Sequence, residues 1–197
     1  MPELIRPVED RDHAQGPASA PVTLLVYGDY QCPYTRKAYL SAERARRELG
    51  DRLCFVFRHF PLSRIHPHAQ GAAEAAEAAG AQGRFWEMHD QLFRNQQALD
   101  DSHLGQYAAE LGLDRDAFER QMAGRVHADR VLEDYESGHR GGVSQTPTLF
   151  VNGAHYAGLY DTRALLAVLE DAGSQGEEAG ETTAPAGDGA GTCRWEL

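Results

Sequence analysis

The chain has 197 residues, of which 42% are hydrophobic and 25% charged, with a formal net charge of -11. That much apolar material builds a core without a disulfide scaffold, and the length suits one domain carrying at most an insertion. An acidic chain repels phosphate backbones and anionic lipid, which argues against nucleic-acid and membrane-surface partners.

Residues 1–20 read as an irregular lead-in, with Gly16-Pro17-Ala18-Ser19-Ala20-Pro21 as breakers. Val22-Thr23-Leu24-Leu25-Val26-Tyr27 is β-branched and aliphatic without strict alternation, which suits a strand buried on both faces. Gly28-Asp29-Tyr30-Gln31 turns the chain into Cys32. Pro33 fits the first position of a helix. Ala38, Ala42, Ala45 and Leu49 then recur at helical spacing up to Gly50, which predicts a helix over 33–49 with Cys32 as its N-cap. Leu53 to Phe60 reads as a second strand ended by Pro61, so the unit is β-α-β with parallel strands and a right-handed crossover.

Residues 67–140 carry no strand signal and divide into four or five short helices. His68 to Ala81 is rich in alanine, with Gln70, Glu74 and Glu77 on one face, and Phe85, Met88 or His89, and Leu92 make a stripe on the next helix. Phe85, Trp86 and Phe93 are expected to form the core of this insertion. Thr148 to Val151 returns to strand character. Asn152-Gly153 is a strong hairpin signal, Ala154 to Ala157 is the return strand, and Asp161 caps a final amphipathic helix. From Gly173 to Thr192 there is no large apolar residue, so residues 173–197 are expected to be a disordered or extended tail. The expected division is a core of 21–66 and 141–172 interrupted by a helical insertion of 67–140. A β-α-β unit followed by an antiparallel hairpin and helix is an α/β fold of thioredoxin-like topology.

Cys32-Pro33-Tyr34-Thr35 concentrates the chemistry. A helix N-terminus offers unpaired amides and partial positive charge, conditions under which thiol pKa values fall from about 8.5 towards roughly 3.5–7.5. Thr35 stands three residues on, where its hydroxyl could donate a hydrogen bond to the sulfur. Arg36 and Lys37 could raise the potential nearby. By itself, a cysteine before proline at a helix start is more often a small packed residue. Thr146-Pro147, by itself, is more often a trans proline opening a strand.

Five separate segments alter that balance: Gly28 to Tyr34, Phe57 to Leu62, His66 to Ala69, Phe85 to Asp90, and Thr146 to Gly153. In order and content they resemble the DsbA-like family of thioredoxin-fold disulfide oxidoreductases. The resemblance is to its soluble bacterial branch and to the thioredoxin-like domain fused to some sodium/proton antiporters, and it covers roughly residues 10–172. It implies that Cys32 is the nucleophile, that Thr146 and a cis Pro147 form a loop facing it, and that Pro33 and Tyr34 help to bind substrate. The sequence departs from the family's CPxC pattern because Thr35 replaces the second cysteine. Exchange within the motif is excluded, so the expected activity is monothiol exchange on a thiol or disulfide, in a protein or a small molecule. No cofactor is expected to be bound, with glutathione as a candidate co-substrate.

Two rival readings keep the fold. One is a redox-inactive module that binds peptides or proteins; the other is a glutathione transferase or isomerase of the kappa type. No stretch approaches the roughly 20 apolar residues that span a bilayer. Met1 to Pro7 lacks the basic start and apolar run of a secretory signal. The expected compartment is therefore the cytoplasm, with all three cysteines as thiols. Parallel pairing would put Cys54 roughly 15–20 Å from Cys32, well beyond disulfide reach, as a buried structural residue. Cys193 lies on the tail, from which it could visit Cys32. His59, His66 and His68 show no fixed ligand spacing, so they read as solvated or helix-capping residues and no metal site is expected.

Overall fold

A computed structural model describes residues 1–180, with side chains to Ser174. Five strands and seven α-helices follow in chain order: β1 (His13–Gln15), β2 (Val22–Gly28), α1 (Pro33–Leu49), β3 (Leu53–His59), α2 (Ala69–Gly80), α3 (Phe85–Arg94), α4 (Asp101–Glu110), α5 (Arg115–Ala123), α6 (Ala128–Arg140), β4 (Thr148–Val151), β5 (Ala154–Tyr156) and α7 (Thr162–Gly180). The sheet order is β1-β3-β2-β4-β5. β2 and β3 are parallel in the register Val22 to Leu53 through Gly28 to His59, and the other three pairings are antiparallel. This is the thioredoxin-like α/β architecture expected, with five helices between β3 and β4.

Every residue of β2 and β3 is buried. Alternation along the strands explains this, because successive side chains feed two different cores. Leu24, Val26, Phe55, Phe57, Leu149 and Val151 face the cluster shared with α1, α7 and the helical insertion. Leu25, Tyr27, Val56 and Phe150 face the opposite cluster, which Leu4, Val8, Phe60 and Val143 complete.

Two expectations need correction. The lead-in is not irregular throughout: β1 pairs antiparallel with β3, and Leu4 and Val8 are buried beneath the sheet. A three-residue strand has too little periodicity to be legible, and its ladder partner supplies the order. The tail does not begin at residue 173, because α7 runs to Gly180. Leu165 and Leu169 anchor that helix in the core, and elongating an existing helix costs far less than starting one. Residues 181–197, and with them Cys193, lie outside the described residues.

Buried charge ties the lead-in down. The fully enclosed Arg58 guanidinium donates to both oxygens of Asp12, at 2.8 and 2.7 Å, and to the carbonyls of Arg6 and Pro7. Arg6 in turn pairs with Asp12 and with Asp134 of α6. Burial alone would raise the Asp12 carboxyl, but Arg58 outweighs it and holds the group below the ordinary range. Gly16, at φ 106°, lets the chain pass so close to β3 that a Cβ there would sit 2.1 Å from the Leu53 carbonyl oxygen.

Candidate functional site

β2 ends at Gly28, and the chain needs only Asp29, Tyr30 and Gln31 to reach the N-cap, Cys32. Asp29 organises the turn. Its buried carboxylate accepts from the amides of Gln31 (2.7 Å), Cys32 (3.1 Å) and Leu62 (2.8 Å), and bonds His66 Nδ1 at 2.8 Å. From the helical side, Gln96 Nε2 donates to the carbonyls of Tyr30 and Cys32, at 2.7 and 2.8 Å. Cys32 adopts an extended backbone (φ -76°, ψ 119°), and its side chain caps no amide. The sulfur instead donates to the Thr146 carbonyl at 3.3 Å. The Thr146–Pro147 peptide bond is cis. Three elements thus converge on one atom: the β2–α1 turn, the start of α1, and the loop before β4.

A family model described as thioredoxin matches residues 9–171 of this chain. The chain belongs to the thioredoxin family. Its fold is the DsbA-like form. BdbD from Bacillus subtilis superposes with a TM-score of 0.75 at 20% identity, covering 88% of this chain and 98% of that one. The alpha-DsbA1 protein of Wolbachia pipientis gives 0.75 at 17% identity, covering 87% and 96%. A thioredoxin-like oxidoreductase from Silicibacter pomeroyi gives 0.70 at 23% identity, covering 86% and 94%. Relatives of higher identity carry another name. "Na(+)/H(+) antiporter NhaA 1" of Salinispora arenicola is 48% identical over 174 residues, and its counterpart in Mycolicibacterium vanbaalenii is 43% identical over 173. Those matches cover 86% and 85% of this chain but only 26% and 28% of the antiporters, so the chain spans about a quarter of their length. Among the described residues no helix is long and apolar enough to cross a membrane.

Within this thioredoxin-family site the sequence-derived residues divide. Cys32, Thr146 and Pro147 come together as expected. Pro33 and Tyr34 lie at the surface beside the sulfur, with Tyr34 63% exposed, whereas Cys32 itself is 4% exposed. Thr35 does not turn its hydroxyl to the sulfur. It is fully buried, and its Oγ1 accepts the Asp29 amide at 3.3 Å, closing the strand-to-helix turn from inside. Room for it depends on Gly28, where a Cβ would lie 2.8 Å from the Thr35 methyl group. Arg36 is drawn away to the Phe93 carbonyl, and Lys37 stands 6.0 Å over the Tyr160 ring.

Cys54 pairs opposite Val22's neighbour Thr23, at the far end of the sheet from Cys32, and is wholly buried. Cys32, by contrast, is a free thiol. His59 is neither solvated nor capping. It is 1% exposed and shares a hydrogen bond with Glu77 at 2.9 Å. His66 serves Asp29, and only His68 remains open to solvent.

Three residues around Cys32 were given no role from the sequence: Asp29, Gln96 and Tyr160. The Tyr30 hydroxyl shares a 2.8 Å hydrogen bond with His89 Nδ1 inside the core. Complete burial pushes that imidazole well below its ordinary pKa, helped by His59 and His13. The Tyr160 phenol is pushed up, by burial first and then by Cys32 and Tyr34, so it lies within electrostatic reach of the sulfur. Only the adjacency of Asp29 to the CPYT motif offered a clue, since an aspartate commonly accepts from the backbone amide two residues on and so forms a turn.

Proposed function

We propose that this chain catalyses thiol–disulfide exchange through Cys32 alone, with reduced glutathione or a similar small thiol completing the cycle. The observation that carries the reading is the 3.3 Å contact between the Cys32 sulfur and the Thr146 carbonyl of a cis-proline loop, at the first turn of α1. In the proposed cycle the Cys32 thiolate attacks a disulfide R–S–S–R′, forms a mixed disulfide with one half and expels the other as a thiolate. One glutathione then displaces RS⁻ and leaves Cys32 glutathionylated. A second glutathione frees Cys32 and departs as glutathione disulfide. Two glutathiones are oxidised for each substrate disulfide reduced, and no second protein thiol is needed.

In this reading the substrate chain lies in a groove of about 570 Å³ lined by Pro61, Leu62, Ile65, Leu132, Tyr135 and Ser144. Its Leu62 wall is held by the same Asp29 carboxylate that holds Cys32. Mass spectrometry after treatment with glutathione disulfide tests the mechanism. A single adduct on Cys32, released by added glutathione and absent from Cys32→Ser, is the expected result; an unmodified Cys32 in folded protein overturns it.

The 4% exposure of Cys32 favours one competing reading, a groove that binds peptide without turnover. Under that reading Cys32→Ser retains all peptide affinity and the parent shows no exchange. The co-substrate places the proposed chemistry in the cytoplasm, where glutathione is kept reduced. Alkylation of cells at lysis tests this placement, since a free Cys54 thiol supports it and an oxidised one counts against it.

A further inference from the structure

We propose that His13, His59 and Glu77 form a binding site for a divalent first-row transition ion, with zinc(II) the metal they suit best. The inference is independent of the thiol chemistry. The three residues come from β1, the end of β3 and the middle of α2. Each imidazole Nε2 lies 2.9 Å from the same Glu77 oxygen, and the three donor atoms fall within 4.8 Å of one another.

Two imidazole nitrogens and one carboxylate oxygen are a recurrent zinc donor set, leaving a fourth position for water. Metal bonds of about 2.0–2.1 Å at tetrahedral angles separate donor atoms by about 3.3 Å. The carboxylate oxygen would therefore withdraw from each Nε2 by roughly half an ångström. The imidazole rings are already set: His13 stacks on Phe85, and His59 packs edge-on against Phe57. In the loaded site each Nε2 would offer its lone pair to the ion, and each neutral imidazole would carry its proton on Nδ1.

The nearest opposing charge is Arg130, whose Nε lies 3.9 Å from the Glu77 oxygen. That guanidinium is paired with Asp134 at 2.6 Å, so it does not confront an ion unscreened. Access is from the His13 side, where the imidazole is 19% exposed, against 8% for the Glu77 side chain and 1% for His59. An ion here would staple the N-terminal strand and the helical insertion to the sheet.

The test uses the full chain carrying Cys32→Ser, so that the free thiol cannot serve as a ligand. After chelator treatment, zinc(II) is titrated by calorimetry, and cobalt(II) is titrated in parallel for its visible absorption. One equivalent should bind, and at a hundredfold excess over Kd the melting temperature should rise by roughly 5–10 °C. His13→Ala and Glu77→Gln should each weaken binding by at least about 100-fold. His13 is the safer variant, because it is only partly buried on a short edge strand; if Glu77→Gln fails to fold, His13→Ala decides. Absence of zinc binding by the folded chain, or unchanged affinity in His13→Ala, overturns the proposal.

Discussion

At the scale of single residues, the site rests on one carboxylate. Asp29 satisfies three backbone amides and an imidazole from a position with 1% exposure. Replacing it with alanine leaves those donors unpaired, and an unsatisfied buried group costs about 1–3 kcal/mol. Asp29→Ala should therefore lower stability by about 2–4 kcal/mol in urea titrations and slow alkylation-competent ordering of the Cys32 turn, read as increased amide exchange at Gln31 and Cys32. Thr35 is the complementary case. Its hydroxyl makes a single 3.3 Å contact, worth about 1 kcal/mol. Thr35→Cys should fold with little loss, form a disulfide with Cys32 under oxidation, and protect Cys32 from iodoacetamide. Failure of that bridge to form would show that the fourth position cannot reach the sulfur.

Glu77 supplies a pH dependence at the same scale. Burial works to raise its carboxyl, but hydrogen bonds from His13 and His59 outweigh that and hold it well below the ordinary range. Its folded pKa is thus lower than the unfolded value of about 4.3. The stability it contributes is present above that unfolded value and is lost as pH falls through the folded one. Without metal, the urea midpoint should decline on acidification below about pH 4.3, and the decline should be shallower in Glu77→Gln.

At the scale of elements, β1 and the segment before it exist because β3 and α6 hold them. Asp12 neutralises Arg58 at a site closed to water, and the enclosed carboxylates of Asp12 and Asp134 hold the largely buried Arg6. Asp12→Ala leaves the enclosed Arg58 guanidinium without its carboxylate, a change that costs about 3–5 kcal/mol for a buried pair. The expected outcome is a large drop in the denaturation midpoint. Asp12→Asn should be milder, because it keeps an acceptor for Arg58. The helical insertion shows the same dependence on neighbours. α2 buries alanines on nearly every side, and its two enclosed acids are held from other elements, Glu74 by Arg125 and Glu77 by His13 and His59. Its period marks a helix, but only its neighbours turn those acids inward.

At the scale of the whole molecule, the sheet separates two cores and the lead-in closes one of them. A chain beginning at residue 17 would lose Leu4, Val8 and β1 together and uncover Leu25, Tyr27, Val56 and Phe150. Such a truncation should bind a hydrophobic dye and melt non-cooperatively, whereas the full chain should melt in one transition. The outcome separates a lead-in that completes the fold from one that merely decorates it.

Read along the chain, the elements with long runs or firm punctuation were legible: β2, α1 with Pro33 at its start, β3, and the Asn152-Gly153 hairpin. Each declares itself through contacts within a few residues, in turn chemistry or hydrophobic period. The order of those elements determined the thioredoxin-like topology and placed Cys32 at a helix start. What the amino acids could not declare in one dimension is pairing at long range. The reach of Asp29 to Leu62 and His66, the burial of His59 and Glu77, and the seating of Leu4 and Val8 under the sheet each depend on partners far away in the chain. Polar side chains carry no mark of whether water or protein will satisfy them. Only the packed tertiary structure, by removing water, decided which carboxylates and imidazoles had to find one another.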